Sequence, residues 1–233
     1  WPLDVAWVGA GLTSCDLSEQ APAVHSVAVA FARHFVEVWH VGDGVCECQI
    51  RIAGPACASF LYSAALFWLS PDELLCAGGT FDGRICLWQT SGGAPHGQDA
   101  SGGSTQAPRE LHGHQGAVFR VRLYLGGTVA VSASDDRTAR LWAAPSALLG
   151  PEFVSPPADP AEAWSCRGIF RGHGSRVWDA ILFALGGGGG MGVATACEDS
   201  VVRVFAADGS CLRELRGHQT RGVRCIEAAL AGP

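Results

Sequence analysis

The chain has 233 residues, of which 48% are apolar and 16% charged, a composition typical of a globular protein with a sizeable core. Its formal net charge is −6, which argues against a non-specific binder of nucleic acid phosphates, and no apolar run is long enough to span a bilayer. The charge is uneven, because residues 1–163 carry 8 arginines and 16 acids whereas residues 164–233 carry 8 arginines and 6 acids. Any acidic partner is therefore expected to favour the C-terminal part.

The start of the chain and its cysteines bear on the compartment. The sequence starts at Trp1 and shows no secretory pattern, so we expect a fragment of a longer chain and predict no targeting signal. The 10 cysteines are scattered, which indicates small buried side chains in a reducing compartment. The one close pair, Cys46 and Cys48, has no second pair or histidine at the spacing of zinc ligands. No metal and no cofactor are therefore predicted.

A closing aromatic residue recurs along the chain and divides it into repeats. The segments VEVW, ICLW, ARLW and VRVF end at Trp39, Trp88, Trp142 and Phe205. Each closes a series of short alternating segments separated by turn residues, which is typical of β-strands. The predicted units are about 1–52, 53–112, 113–171 and 172–216, with the start of another at 217–233.

The first two units are incomplete versions of this pattern. In the first, which no Gly-His pair opens, strands are predicted around Val24–Ala32, Val36–Trp39 and Cys46–Ile52. In the second, Asp82 stands six residues before Trp88, but Gly78 occupies a position where the third unit has a serine. A segment rich in Gly and Ser, about 91–104, then predicts a disordered insertion before the last strand.

The third unit carries the complete pattern and opens with a Gly-His pair. Its polar residues His114, Ser132, Asp136 and Trp142 need hydrogen-bond partners if they are buried, so they are candidates for a structural role. The same serine, histidine and aspartate resemble a catalytic triad. Nothing near Ser132 suggests an oxyanion pocket, so the structural interpretation is preferred and no catalytic residue is assigned.

A Pro-rich insertion, about 145–160, separates the third and fourth strands of the third unit and is also predicted to be disordered. In the fourth unit His173, Thr195 and Asp199 correspond to His114, Ser132 and Asp136 of the third unit. Phe205 replaces the closing tryptophan and removes the indole donor. Another Gly-His pair follows in LRGHQTRGVRC, where the next unit begins.

These spacings resemble the WD40 repeat, which implies an all-β propeller with about four blades present. In that family a histidine, a serine or threonine, an aspartate and a tryptophan form one hydrogen-bonded network. The resemblance implies this network for His114, Ser132, Asp136 and Trp142, and part of it for His173, Thr195 and Asp199. The successive segments SASDDRTARLW, FRGHGSRVWDAILF and LRGHQTRGVRCI are similar to the WD repeat-containing activators of the tRNA 2′-O-ribose methyltransferase that modifies the wobble nucleotide. The resemblance implies a non-catalytic cytoplasmic scaffold that binds the methyltransferase and helps to position tRNA, indirectly or through the C-terminal basic region.

Candidate contact residues lie near the short turns of the predicted propeller. The long insertions share one face, and the opposite face carries constrained turns that hold side chains in place. The candidates for contact with a partner or with tRNA are Arg137, Arg176, Trp178, Arg221 and Arg224. Arginine offers forked donors to phosphate or carboxylate, and tryptophan is an interface anchor or a platform for stacked bases. The alternative is that Trp178 is a core residue and that the arginines line blade edges.

Two further functions stay open at this level. One is a general protein-protein adaptor, for instance in ubiquitination or vesicle traffic, without RNA. Binding of RNA falls steeply with ionic strength, whereas an apolar protein interface changes little, so salt dependence separates this function from the first. The other is a serine hydrolase, which labelling of Ser132 by an active-site phosphonate probe would indicate.

Overall fold

The computed structural model describes residues 2–8, 24–31, 35–42, 45–53, 59–70, 73–91, 108–145, 147, 164–186, 190–219 and 222–228. In these ranges the chain forms four antiparallel sheets of four strands, and the strands of each sheet are ordered as they follow in sequence. The two predicted insertions lie almost entirely outside the described residues.

Each sheet is a meander in which neighbouring strands in sequence pair with one another. Sheet 1 contains β1 (Pro2–Val8), β2 (Val24–Phe31), β3 (Phe35–Gly42) and β4 (Val45–Ala53). Sheet 2 contains β5 (Leu61–Ser70), β6 (Glu73–Thr80), β7 (Ile85–Ser91) and β8 (Arg109–Leu111). Sheet 3 contains β9 (Val118–Tyr124), β10 (Val129–Ser134), β11 (Ala139–Ala143) and β12 (Ser165–Phe170). Sheet 4 contains β13 (Val177–Ala184), β14 (Met191–Cys197), β15 (Val201–Ala206) and β16 (Cys211–Arg216).

Strand β1 was not anticipated from the sequence, which predicted three strands in the first unit. It pairs with β2 from Pro2 opposite Phe31 to Val8 opposite Ser26. Residues 9–23 separate the two strands, and no short turn motif joins them. A pairing between strands so far apart along the chain leaves no local signal, and only the complete sheet shows it.

The sheets pack face to face around their first strands. Strand β1 packs on β5, β5 on β9, and β9 on β13. Apolar clusters fill the spaces between the sheets, with Val36 and Leu61 between sheets 1 and 2, Trp142 between sheets 2 and 3, and Phe170 against Phe205 between sheets 3 and 4. All six residues of β16, the last strand of sheet 4, are exposed. The packing of successive sheets through their first strands is the radial arrangement of a propeller.

Two further properties concern membranes and metals. No helix in the described ranges is long and apolar enough to cross a membrane. The described residues also contain no group of three or more His, Cys, Asp or Glu side chains that could hold a metal ion. Cys46 and Cys48 are both exposed on β4 and form no disulfide.

Candidate interaction surface

Four side chains of sheet 3 form one chain of hydrogen bonds. Trp142 Nε1 donates to Ser132 Oγ over 2.8 Å, and Ser132 Oγ lies 2.7 Å from His114 Nε2. His114 Nδ1 lies 2.8 Å from Asp136 Oδ2. The serine therefore accepts from the indole and donates to the imidazole, whose Nδ1–H donates to the carboxylate. The structure thus brings the four predicted residues of this sheet into contact.

Burial sets the charge state of this network. It lowers the pKa of His114 below the ordinary value of 6.5, because the charged imidazole loses its water and Asp136 compensates only in part. Burial alone would raise the pKa of Asp136, but hydrogen bonds from His114, Thr138 and the Gln115 backbone hold it well below its usual range. The network therefore contains a neutral imidazole that donates to an ionised carboxylate.

The resemblance of these residues to a catalytic triad ends with the accessibility of the serine. Ser132 is 0% exposed and His114 is 7% exposed. The hydroxyl already bonds to the indole and to the imidazole. A nucleophilic serine needs open approach for a substrate. The arrangement here instead ties the turn before β9 to β10 and β11.

Sheet 4 forms only part of the expected network. His173 Nε2 lies 2.8 Å from Thr195 Oγ1, but His173 Nδ1 lies 3.0 Å from the carbonyl oxygen of Arg137. The expectation that Asp199 joins this histidine is therefore wrong. Asp199 Oδ2 accepts instead from the Gly174 N–H at 2.8 Å.

The residue two positions after the aspartate differs between the two sheets. In sheet 3 the Thr138 hydroxyl donates to Asp136 at 2.7 Å and lies 3.3 Å from the histidine. Val201 takes the corresponding position in sheet 4 and offers only its backbone N–H. Arg203 then binds Asp199 at 2.7 Å. Burial raises the pKa of Asp199, but this hydrogen bond and backbone donors outweigh it and lower the pKa to about 2.

Among the residues that the structure describes, sheet 2 does not form this network. Asp82 pairs with Arg84 at 2.5 Å, and chiefly this hydrogen bond lowers the pKa of Asp82 to about 2. The indole Nε1 of Trp88 is buried and has no hydrogen-bond partner among the described residues. Gly78 stands where sheet 3 has its serine, and a Cβ built there would lie 2.6 Å from Leu61 Cδ2. The packing of Leu61 therefore leaves little room for a hydroxyl-bearing side chain.

A β-bulge in each of sheets 2, 3 and 4 turns one aromatic residue towards a shared surface. Near the starts of β5, β9 and β13 the strand pairing skips Tyr62, Phe119 and Trp178. Such extra residues are re-aimed relative to the strand. Phe119 stacks on Trp178 with 4.5 Å between ring centroids and meets Tyr62 edge-on at 5.8 Å, while Tyr62 stacks on Phe81 at 5.9 Å. These four residues form what we call the aromatic ridge, which crosses sheets 2, 3 and 4.

The ridge is most exposed at its sheet 2 end. Tyr62 is 48% exposed and Phe81 is 61% exposed, and the neighbouring Phe60 is 73% exposed. Phe119 and Trp178 are partly buried. Trp178 is therefore neither a core residue nor an isolated surface residue, and it belongs to a contiguous aromatic patch. Such patches mark interaction sites on globular proteins.

Two arginines flank the Trp178 end of the ridge. The guanidinium carbon of Arg224 lies 3.9 Å from the centre of the indole ring, and that of Arg176 lies 5.6 Å from it. Arg176 also pairs with Asp135 at 3.2 Å, and Arg224 lies 3.8 Å from Glu198, which accepts a hydrogen bond from the indole N–H. Both arginine side chains stay largely exposed, at 46% and 61%. Three of the predicted contact residues thus meet at one place.

The other two candidates are placed differently. Arg137 is exposed in the turn between β10 and β11 with a φ of 64°, and its carbonyl accepts the bond from His173. Its side chain forms no ion pair with the residues that the structure describes. Arg221 lies outside the described residues.

Sequence reasoning missed Tyr62, Phe81 and Phe119, although a signal for two of them is present. In sheets 2, 3 and 4 the ridge residue on the first strand directly follows a buried aliphatic residue. The last described segment repeats this pattern. The pairs are Leu61-Tyr62, Val118-Phe119, Val177-Trp178 and Val223-Arg224. Comparing this position between units would have predicted three aromatic residues and an arginine at equivalent places.

Comparison with known proteins adds family information to this geometry. Residues 106–143 match the WD40 family, described as WD domain, G-beta repeat. The chain is 26% identical over 203 residues, 87% of its length, to the tRNA (34-2'-O)-methyltransferase regulator WDR6 of Rattus norvegicus and to that of Homo sapiens. It spans 16% of the length of these relatives. It is also 36% identical over 91 residues, 39% of this chain and 5% of the relative, to the NACHT domain- and WD repeat-containing protein 1 of Mus musculus.

The matches agree with the observed architecture. The WD40 match covers β8 to β11, and the four residues of the complete network all lie within it. The predicted all-β fold is confirmed by four meandering sheets packed through their first strands. The chain therefore folds as an all-β propeller of which four sheets are described, it matches the WD40 family over residues 106–143, and it is similar to the WDR6 regulators over most of its length.

Proposed function

We propose that this chain is a non-catalytic scaffold of the cytoplasm that binds a tRNA 2′-O-ribose methyltransferase and helps to position tRNA for modification of the wobble nucleotide. The observation that carries the proposal is the similarity to the WDR6 regulators across 87% of the chain. Those relatives are named as regulators of a tRNA (34-2'-O)-methyltransferase. The chain spans 16% of the length of these relatives.

The physical properties of the chain support a role in binding. A docking surface works best when rigid elements hold its side chains. The ridge residues Tyr62, Phe119 and Trp178 sit on β-strands at bulges, and the buried network of sheet 3 holds the turn next to Phe119. Ser132, the candidate nucleophile, is fully buried.

Methylation of tRNA in cells tests the proposal. Cells lacking the protein are expected to lose 2′-O-methylation at the wobble nucleotide of substrate tRNAs, as measured by mass spectrometry of tRNA fragments. The intact protein should restore the modification and should co-elute with the methyltransferase in gel filtration. Full methylation in cells without the protein would contradict the proposal.

A protein-protein adaptor without any role in tRNA modification is the second candidate. It is favoured by the carboxylates of Asp135 and Glu198, which lie beside the ridge arginines and would repel RNA phosphates. Under this alternative, wobble methylation stays intact in the cells described above. The intact protein would then co-elute with partners other than the methyltransferase.

A further inference from the structure

We infer that the aromatic ridge docks a short segment of the partner protein that carries a bulky apolar side chain followed by an acidic one. The inference rests on the proposed function, because the partner is then the methyltransferase. Its basis is the division of the ridge into an apolar end at Tyr62 and Phe81 and an arginine-rich end at Trp178.

The apolar end suits a large hydrophobic side chain. Phe60, Tyr62 and Phe81 are all more than two-fifths exposed, with values of 73%, 48% and 61%. They are neighbours, since the Phe81 N–H donates to the Phe60 carbonyl at 3.1 Å and the rings of Tyr62 and Phe81 stack. A side chain inserted here removes several aromatic surfaces from water together. Desolvated aromatic clusters of this kind supply most of the binding energy of protein interfaces.

The arginine-rich end suits a carboxylate. The distance of 3.8 Å between Arg224 and Glu198 is too long for a hydrogen bond, so the Arg224 donors are not used by that neighbour. Arg176 uses its Nε atom towards Asp135. The remaining guanidinium donors present the fork geometry that binds a carboxylate through two parallel hydrogen bonds. An incoming acidic side chain therefore finds two cations stacked near one indole.

Protein chemistry fits this end of the ridge better than nucleic acid does. Phe119 and Arg224 already lie against the Trp178 ring, at 4.5 and 3.9 Å, and compete with any stacked base. Asp135 and Glu198 place two negative charges beside the arginines and would repel a backbone that carries a phosphate at every nucleotide. A peptide with one acidic side chain meets the arginines while its neighbours avoid the carboxylates.

The length of the ridge sets the length of the docked segment. The ring centroids of Tyr62, Phe119 and Trp178 follow one another at steps of 5.8 and 4.5 Å. An extended peptide advances about 3.3 Å per residue. About four residues therefore reach from the apolar end to the arginine-rich end.

Binding of the purified methyltransferase to the intact protein tests the inference. The variants Tyr62→Ala, Trp178→Ala and Arg224→Glu should each raise the Kd at least tenfold, as substitutions at interface anchors do. Arg109→Glu and Leu212→Ala serve as matched controls. Arg109 is exposed on β8 and Leu212 on β16, which are the last strands of their sheets, whereas three of the four ridge residues lie on first strands, so both variants should bind as the wild type does. Thermal melts verify folding, and Tyr62→Ala keeps the test valid if Trp178→Ala unfolds.

The outcomes separate the inference from the proposed function. If the wild type binds the enzyme and the ridge variants bind equally well, the inference is overturned while the proposed function stands. If the wild type does not bind the enzyme, both fall. A third arm uses an anticodon stem-loop RNA as the probe. If the ridge variants lose affinity for this RNA and keep affinity for the enzyme, the ridge is an RNA site and the inference is overturned.

Discussion

Replacing Ser132 with alanine tests how much the buried network stabilises sheet 3. The hydroxyl is fully buried, accepts from Trp142 Nε1 at 2.8 Å and lies 2.7 Å from His114 Nε2. The substitution leaves the indole N–H and the imidazole nitrogen buried without this partner. One unsatisfied buried polar group costs about 1–3 kcal/mol. Two groups lose this partner here, and single substitutions seldom cost more than about 4 kcal/mol. We therefore expect Ser132→Ala to lower the free energy of unfolding by about 2–4 kcal/mol.

Urea denaturation at neutral pH measures this loss, and hydrogen exchange of a peptide covering residues 129–143 shows whether it is local to sheet 3. Ser210→Ala is the matched control, because the Ser210 hydroxyl donates to Asp208 in an exposed turn. Its effect should stay below about 0.5 kcal/mol. Adding Trp142→Phe to Ser132→Ala should cost less than the sum of the two single changes, since it removes one unpaired group. A loss for Ser132→Ala no larger than that of the control would refute the reasoning.

Three other predictions concern pH, a buried charge and a turn. Below pH 6.5, the ordinary pKa of a histidine, His114 takes up a proton in the unfolded chain, whereas burial lowers its pKa in the folded chain. The free energy of unfolding should therefore fall as the pH falls. Thermal melts at neutral and mildly acidic pH check this, and a constant Tm would contradict it. Asp179 is 0% exposed and pairs with Arg122 at 2.8 Å, so Asp179→Ala should lower the free energy of unfolding by about 3–5 kcal/mol in urea denaturation. A loss below about 1 kcal/mol would show that the charge is not stabilising. Gly222 has a φ of +72°, and a Cβ there would lie 2.7 Å from the Glu198 backbone, so Gly222→Ala should displace the last described segment and weaken methyltransferase binding. Wild-type affinity would count against that placement.

The network of sheet 3 is predictable because all of its parts lie within one repeat. His114 and Trp142 belong to a single continuous stretch, and Ser132 and Asp136 lie between them at the spacing of the repeat that the sequence resembles. The fourth sheet shows the limit of the same reasoning. Its spacing is right for His173 and Asp199, but Asp199 binds Arg203 and the Gly174 N–H and not the histidine. Spacing along the chain does not reveal which of several nearby donors a carboxylate binds.

The aromatic ridge is harder to predict because its contacts connect distant repeats. Tyr62, Phe119 and Trp178 meet only when three sheets pack side by side and each first strand contains a bulge. A bulge has no strong signature in the residues that form it, and the alternation of apolar residues predicts a regular strand. The position of each ring therefore depends on tertiary packing. The arginines were found because their chemistry is informative without any geometry.

The buried charge beneath the ridge connects the core of the propeller to this surface. Asp179 lies on the first strand of sheet 4, and its carboxylate binds Arg122 of sheet 3 and accepts from the Ile226 N–H at 3.2 Å. Arg122 in turn donates to the Ile226 carbonyl at 3.1 Å. The two charged residues thus hold both backbone groups of Ile226, two residues after Arg224. Because an unpaired buried charge is costly, this arrangement resists displacement. It keeps Arg224 over Trp178, so the interior of sheets 3 and 4 determines the geometry of the surface.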